Sequence, residues 1–258
     1  MGIVYFFVFL ASCIIGAIVG LGGGVIIRPI LDAIGHHNVL NIAFLSSSAV
    51  IVMAIVSTMK KVKDGTKIDV SIAAFISVGA MIGGVIGNMI LEYLVYTFDA
   101  EANAQIIQTI ATIITLILAI YFTNRNDLRY KLKAKAFYPI LGIGLGALAV
   151  FLGIGGGPIN VPIFMILFSL PVKYATAYSI VIIFFAHFAR MVTMGFTEGF
   201  LYFDLQYLLF IIPAAIIGGI IGAIISRKIS DEAVKKSFLV TMVALIIMNV
   251  YNGITFVL

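Results

Sequence analysis

The chain has 258 residues, of which 62% are hydrophobic and only 10% are charged, with a formal net charge of +5. A soluble domain carries about a quarter charged residues, so this composition excludes a soluble globular protein. Apolar runs of about 20 residues follow one another along the chain, which is typical of a helical protein that crosses the membrane several times. The sequence therefore predicts an all-α integral membrane protein.

Taken in chain order, eight long apolar segments are separated by short polar stretches. They run over 3–20, 39–59, 69–91, 103–123, 136–152, 173–196, 203–225 and 235–257. Two further apolar pieces, 25–35 and 158–170, are shorter than the ~20 residues that a helix needs to span a bilayer. Each follows a run of glycines. Short hydrophobic segments interrupted by glycine or proline are typical of the binding site of a transporter.

The two glycine runs belong to an internal duplication. Residues 20–31 (GLGGGVIIRPIL) match residues 153–164 (GIGGGPINVPIF). A patch with hydroxyl side chains follows each run, and GAMIGGVIG at 79–87 matches PAAIIGGIIG at 213–222. Three matches in the same order predict that the chain consists of two similar halves.

The basic residues predict which loops face the cytoplasm. Fourteen of the sixteen Lys and Arg residues lie at 60–67, at 125–135, at Lys173 and at 227–236. Basic loops are usually cytoplasmic, so we expect these regions inside the cell. The stretches 92–101 and 198–204 carry acidic residues and no Lys or Arg, so we expect them outside.

The same charges predict how the two repeats, 1–126 and 127–258, are oriented. The basic loop 60–67 of the first repeat corresponds to the acidic loop 198–204 of the second. The acidic loop 92–101 of the first repeat likewise corresponds to the basic region 227–236 of the second. Because the signs exchange, the sequence predicts an inverted repeat of two halves.

Counting the crossings between these loops predicts two re-entrant hairpins. The chain must cross an odd number of times between the second basic region and the second acidic loop, and the simplest solution makes 136–170 a hairpin that enters and leaves on one side. By symmetry, 1–35 is a hairpin that enters from outside. Each half is then a re-entrant helical hairpin broken at GGG plus three transmembrane helices, with six full spans and both termini outside. Alternatively, 136–152 spans fully while 158–170 dips only partly into the membrane.

The glycine runs are candidate anion-binding sites. A half-helix begins after each run, so its free N–H groups and the positive end of its dipole face the break. The glycines concerned are Gly22, Gly23, Gly24, Gly155, Gly156 and Gly157. Glycine can also serve only to let helices pack closely. We prefer that interpretation for Gly83, Gly84, Gly87, Gly218, Gly219 and Gly222.

Other polar residues in the apolar segments are candidates for binding the anion. Those predicted to bind substrate are Asn160, Ser46, Ser47, Tyr178, Ser179, Arg28 and Arg190, and His187 is a candidate proton relay. The hydroxyls could instead bond between helices, and Arg28 could extend to the outer headgroups. We expect His36 and His37, in a short outer loop, to be solvated.

The duplicated motif G-[IL]-G-G-G-x-[IL]-x-x-P-[IL], the hydroxyl patch after it and the later G-x-x-x-G segment resemble the TauE/SafE family of sulfite and organosulfonate exporters. The resemblance covers essentially the whole chain. It implies a small secondary carrier for anions such as sulfite, sulfoacetate or related organosulfonates, with proton coupling.

These observations predict a multi-pass transporter of the cell membrane that holds a small anion between the two hairpin tips. We expect no enzymatic activity, no cofactor, no metal and no nucleic-acid partner, and either a monomer or a homodimer. An anion channel is an alternative. An intramembrane enzyme using a serine and His187 is less consistent with the sequence, since it has no nucleophile-elbow motif and no carboxylate placed to orient the histidine.

Overall fold

The computed structural model describes residues 2–97, 101–125, 130, 132, 134–153 and 158–257. These residues form ten α-helices and no strand, which confirms the all-α prediction. The helices are α1 Gly2–Val19, α2 Gly24–Ile34, α3 Val39–Lys63, α4 Val70–Thr97, α5 Glu101–Asn124, α6 Phe137–Phe151, α7 Asn160–Leu167, α8 Val172–Thr197, α9 Leu208–Lys228 and α10 Asp231–Val257. Two 3₁₀ turns, Phe200–Tyr202 and Leu205–Tyr207, join α8 to α9.

Seven of the described helices are long and apolar enough to cross a membrane, namely all except α2, α6 and α7. Helix α1 is among them with 18 residues, so there is one candidate span more than the six predicted. Helix α6 has 15 residues and is shorter than a usual span. Large apolar side chains such as Ile82, Ile110 and Ile247 point outward, as expected for surfaces that face lipid. The re-entrant hairpins stay a prediction.

The first five helices, α1 to α5, correspond in order to the last five, α6 to α10. Corresponding helices make corresponding contacts. Helix α1 packs against α9, and α6 packs against α4; α3 also packs against α9, and α8 against α4. The short helices follow the same rule, because α2 contacts α3 and α10 while α7 contacts α8 and α5. A duplicated chain would pack in this way. The opposite orientation of its halves stays a prediction.

Glycines bring two of these helix pairs into backbone contact. A Cβ on Gly83 would lie 2.2 Å from the carbonyl oxygen of Ile143, so α4 and α6 touch at that point. A Cβ on Gly222 would lie 2.4 Å from the carbonyl oxygen of Ile14, which joins α9 to α1. All six glycines that were predicted to serve packing have such close neighbours, so that interpretation is confirmed.

The loop between α2 and α3 is fastened to the segment before α9. The Nδ1 atom of His37 lies 2.8 Å from Oδ2 of Asp204, and the His37 side chain is only 2% exposed. Its ring packs against those of Tyr5 and Tyr207. The expectation that His37 is solvated is therefore wrong, whereas His36 is exposed as expected.

This contact predicts a dependence of stability on pH. Burial lowers the pKa of His37, although the hydrogen bond to Asp204 opposes that shift, and the neighbouring His36 adds to it. The neutral ring is then favoured in the folded protein. Its contribution to the free energy of unfolding is complete above about pH 6.5 and is lost as the pH falls through the folded-state pKa.

The measurement is the melting temperature of the purified protein in detergent between about pH 7.5 and about pH 5. We expect His37→Gln to show a smaller decrease than the wild type over this interval. The exposed neighbour supplies the comparison. His36→Gln removes only the smallest contribution to the His37 shift, so its decrease should stay closer to that of the wild type than the decrease of His37→Gln does. Equal decreases for His37→Gln and the wild type would contradict the assignment.

Candidate functional site

The first glycine run interrupts the chain between α1 and α2. Gly20, Gly22 and Gly23 have φ angles of +80°, +74° and +42°, which lie in the left-handed region that favours glycine. The carbonyl oxygen of Gly20 accepts a hydrogen bond of 2.7 Å from the Oγ atom of Ser179. A Cβ on Gly20 would lie 2.6 Å from Cα of Thr176. The break is therefore fastened directly to α8.

The three glycines of this run that are predicted to bind the anion, Gly22, Gly23 and Gly24, are buried. A Cβ on Gly23 would lie 3.2 Å from the Sγ atom of Cys13, because the break folds back against α1. Whether these glycines bind an anion stays a prediction.

The second glycine run falls largely outside the described residues, which include neither Gly155, Gly156 nor Gly157. The described residue before it, Gly153, has a φ angle of +64° and occupies the position that corresponds to Gly20. The Nη1 atom of Arg28 donates a hydrogen bond of 2.9 Å to the carbonyl oxygen of Leu152. A side chain of α2 thus reaches the end of α6, just before the second glycine run.

Arg28 is held on all three of its guanidinium nitrogens. Besides the bond to Leu152, its Nη2 atom donates to Oε1 of Gln108, and its Nε atom lies 3.4 Å from Oδ2 of Asp32. Gln108 in turn donates a hydrogen bond of 2.6 Å to the carbonyl oxygen of Phe151. Arg28 is only 4% exposed and so does not extend to the headgroups. These contacts join α2 to α5 and to the end of α6, and binding of substrate by Arg28 stays a prediction.

Arg190 is buried in α8 with most of its hydrogen-bonding capacity unused. It is fully inaccessible to solvent. Its Nε atom lies 3.3 Å from Oδ1 of Asn88 on α4, whereas Nη1 and Nη2 have no hydrogen-bond partner among the described residues. A buried guanidinium with two unpaired nitrogens is costly. The arrangement could receive an oxyanion in a bidentate contact.

His187 lies one helical turn before Arg190 and is equally buried. Its Nδ1 atom is 2.9 Å from the Oγ atom of Ser47 on α3, and its Nε2 atom has no partner in the described part of the chain. We call Arg190, His187, Ser47 and Asn88 the central polar cluster.

The remaining predicted residues divide into two kinds. Ser46 and Asn160 are fully buried, and neither the Ser46 hydroxyl nor either amide atom of Asn160 has a partner among the residues described. Tyr178 and Ser179, in contrast, are engaged by the protein. The hydroxyl of Tyr178 accepts a hydrogen bond of 2.6 Å from the N–H of Asp69, and that of Ser179 is bonded to Gly20.

Sequence reasoning missed two amides at this site, Asn88 and Gln108. Each is a polar side chain in a long apolar helix and is almost completely buried. Such an isolated amide in a predicted span is the signal that could have identified them, because a polar group in a membrane needs a partner.

Asn160 offers a test that separates binding from folding. An unpaired buried amide costs about 1–3 kcal/mol, so Asn160→Leu should raise the melting temperature. If Asn160 binds the anion as the sequence predicts, transport by the same variant should fall. Asn252 supplies the contrasting control, because its Nδ2 atom donates a hydrogen bond of 2.7 Å to the carbonyl oxygen of Pro29 and Asn252→Leu should lower the melting temperature. Unchanged transport in Asn160→Leu would remove it from the site.

Comparisons with known proteins place this arrangement in a family. The family model described as "Sulfite exporter TauE/SafE" matches residues 4–249. The probable membrane transporter protein YunE of Bacillus subtilis is 25% identical over 264 residues, which cover 93% of this chain and 94% of that protein. The probable membrane transporter protein MamO of Paramagnetospirillum magneticum is 32% identical over 111 residues, or 41% of this chain and 17% of that protein. No solved structure matches significantly.

Proposed function

Because the chain belongs to the sulfite exporter TauE/SafE family of membrane transporters, we propose that it carries small sulfur-containing anions across the cell membrane. The substrates are sulfite, sulfoacetate or related organosulfonates, moved by secondary transport and coupled to protons. The observation that carries the proposal is the buried guanidinium of Arg190, whose two Nη atoms have no partner among the described residues.

A sulfonate or sulfite group is complementary to the two Nη atoms of Arg190 that have no partner among the described residues. Its oxygens can accept two parallel hydrogen bonds from the guanidinium fork, and a charge-assisted bond of this kind is about twice as strong as a neutral one. Asn88 contacts only the Nε atom, so it orients the fork without occupying it. The hydroxyl of Ser46 and the amide of Asn160 would supply further neutral donors.

The position of His187, one helical turn from Arg190, supports the proposed proton coupling. An anion bound to Arg190 would offset the positive charge next to the imidazole, and binding of a proton there would become easier. By reciprocity, a proton on His187 would favour binding of the anion. Ser47, bonded to Nδ1, would hold the ring with Nε2 free to exchange the proton.

Alternating access would arise if one repeat moved against the other, as in transporters built from inverted repeats. The exchange of packing partners between corresponding helices supports this, because each hairpin packs on a helix of the other half. We further propose that both termini face outward, because the basic loops are then cytoplasmic.

A hydrolytic role for His187 has little support, since its hydrogen bond goes to Ser47 and not to a carboxylate.

The test is uptake of radiolabelled sulfite by the purified protein in liposomes under an imposed pH gradient. We expect uptake that saturates, that responds to the gradient, and that increases when unlabelled sulfite is present on the opposite side. The last property separates a carrier from a channel. Uptake of sulfite and sulfoacetate no faster than in protein-free liposomes would overturn the proposal.

A further inference from the structure

A charged cavity lies between the C-terminal ends of α3 and α9 and the N-terminal end of α8, beside the basic loops. It has a volume of about 180 Å³. Its charged lining consists of Lys61, Lys173 and Arg227 with one carboxylate, Asp64. Three cations against one carboxylate make the cavity electropositive, and its volume admits a small oxyanion.

Lys61 differs from the other cations of this cavity. Asp64 lies 3.0 Å from Lys60 and 3.3 Å from Arg227, and Lys173 lies 3.8 Å from Asp231. Lys61 is only 7% exposed, and no carboxylate of the described chain pairs with it. Its contact is a hydrogen bond of 3.4 Å from Nζ to Oγ1 of Thr176. A neutral hydroxyl does not compensate a buried ammonium group, so an anion in the cavity would.

Side chains of α8 connect Lys61 to the first glycine break. Thr176, which contacts Lys61, also packs against Gly20, and Ser179 on the same helix is bonded to the Gly20 carbonyl oxygen. Thr176 and Arg190 are fourteen residues apart on α8, which corresponds to roughly 21 Å along a helix. The Lys61 cavity is therefore a separate place from the central polar cluster.

We propose that the Lys61 cavity is a second anion-binding subsite, at which the transported sulfonate or sulfite binds on the side of the basic loops. The identity of this anion rests on the proposed function. The ammonium group of Lys61 supplies a compact charge with three donors. A lipid phosphate has the same chemistry, so the experiment must separate a dissolved anion from a headgroup.

The local charge can be measured without transport. Thr66 lines the cavity, and Thr66→Cys in a Cys13→Ala background provides a single reactive thiol. The anionic reagent sulfonatoethyl methanethiosulfonate should label it faster than the trimethylammonium analogue. Lys61→Met, which removes the charge but keeps an apolar stem, should lower the ratio of the two rates about tenfold. Lys63→Met, a loss of charge at an exposed position of the same helix, should leave the ratio unchanged.

Occupancy is measured by protection of the same thiol. Sulfate is the probe, because sulfite itself reacts with these reagents. In vesicles of phosphatidylcholine, sulfate should slow labelling of Thr66→Cys when Lys61 is present. It should not slow labelling when Lys61→Met is added. Protection by phosphatidylglycerol vesicles without protection by sulfate would identify a lipid site and overturn the proposal, as would protection by neither. Elution of each variant as one peak in detergent checks folding.

Failure of this proposal and failure of the proposed function give different results. If sulfite is transported but the labelling ratio is the same in Lys61→Met, the subsite is refuted and the transport function stands. If charge and protection both depend on Lys61 but no sulfur anion is transported, the subsite stands as an anion site and the function fails. With both correct, Lys61→Met should raise KM for sulfite on the cytoplasmic side about tenfold with little change in kcat.

Discussion

Arg190→Gln is expected to reduce sulfite uptake to the level of protein-free liposomes, although the variant remains folded. Arg190 is fully buried, and its two Nη atoms have no hydrogen-bond partner among the described residues. Removing one partner of a buried, hydrogen-bonded charge pair costs about 2–5 kcal/mol, which is roughly a thirtyfold to several-thousandfold loss of affinity. The measurement is the initial rate of uptake over a range of sulfite concentrations.

Two variants make this expectation specific. Arg190→Lys keeps the positive charge but loses the planar fork, so it should transport more slowly than the wild type and faster than Arg190→Gln. Lys63→Gln removes a positive charge at an exposed position and should transport normally. Uptake by Arg190→Gln at the wild-type rate would show that Arg190 does not hold the anion.

The second large effect is expected at Gly20. Its left-handed φ angle of +80° is costly for any residue with a Cβ, by about 1–2 kcal/mol. The added carbon would also lie 2.6 Å from Cα of Thr176, and relieving such a clash with backbone costs about 1–3 kcal/mol more. Gly20→Ala should therefore lower the melting temperature and displace the first hairpin from α8, and transport should be lost.

Two other glycines separate the causes of this effect. Gly35 also has a left-handed φ angle, +64°, but nothing lies within 4 Å of its Cβ position, so Gly35→Ala measures the backbone strain alone. Gly144 lies inside α6 with open space around it, and Gly144→Ala should stabilise the helix by up to about 1 kcal/mol. A loss of stability in Gly20→Ala no larger than in Gly35→Ala would contradict a tight contact with α8.

The helices themselves were predictable because their signals are local. Apolar length and glycine runs indicated the short helices α2 and α7 within a few residues, since three glycines in a row weaken a helix on all its faces. Spaced glycines such as Gly83 and Gly222 indicated close packing, because a residue without a side chain lets two helix backbones approach each other. The count of six spans stays a prediction. Helix α1 has the length and composition of a span, and length alone cannot separate a span from a long re-entrant helix.

The sequence by itself determined that this is a helical membrane protein, because composition and apolar length need no knowledge of contacts, and its repeated motifs predict two similar halves. It also identified Arg28, Arg190 and His187 as unusual, since ionisable residues in an apolar segment are costly wherever they lie. Only the tertiary structure decided their partners. Arg28 bonds to Leu152, 124 positions away, and His187 to Ser47, 140 positions away. Contacts at such separations depend on how whole helices pack. Arg28, whose three guanidinium nitrogens all have partners, and Arg190, whose two Nη atoms have none among the described residues, therefore look alike in the sequence and differ in the folded chain.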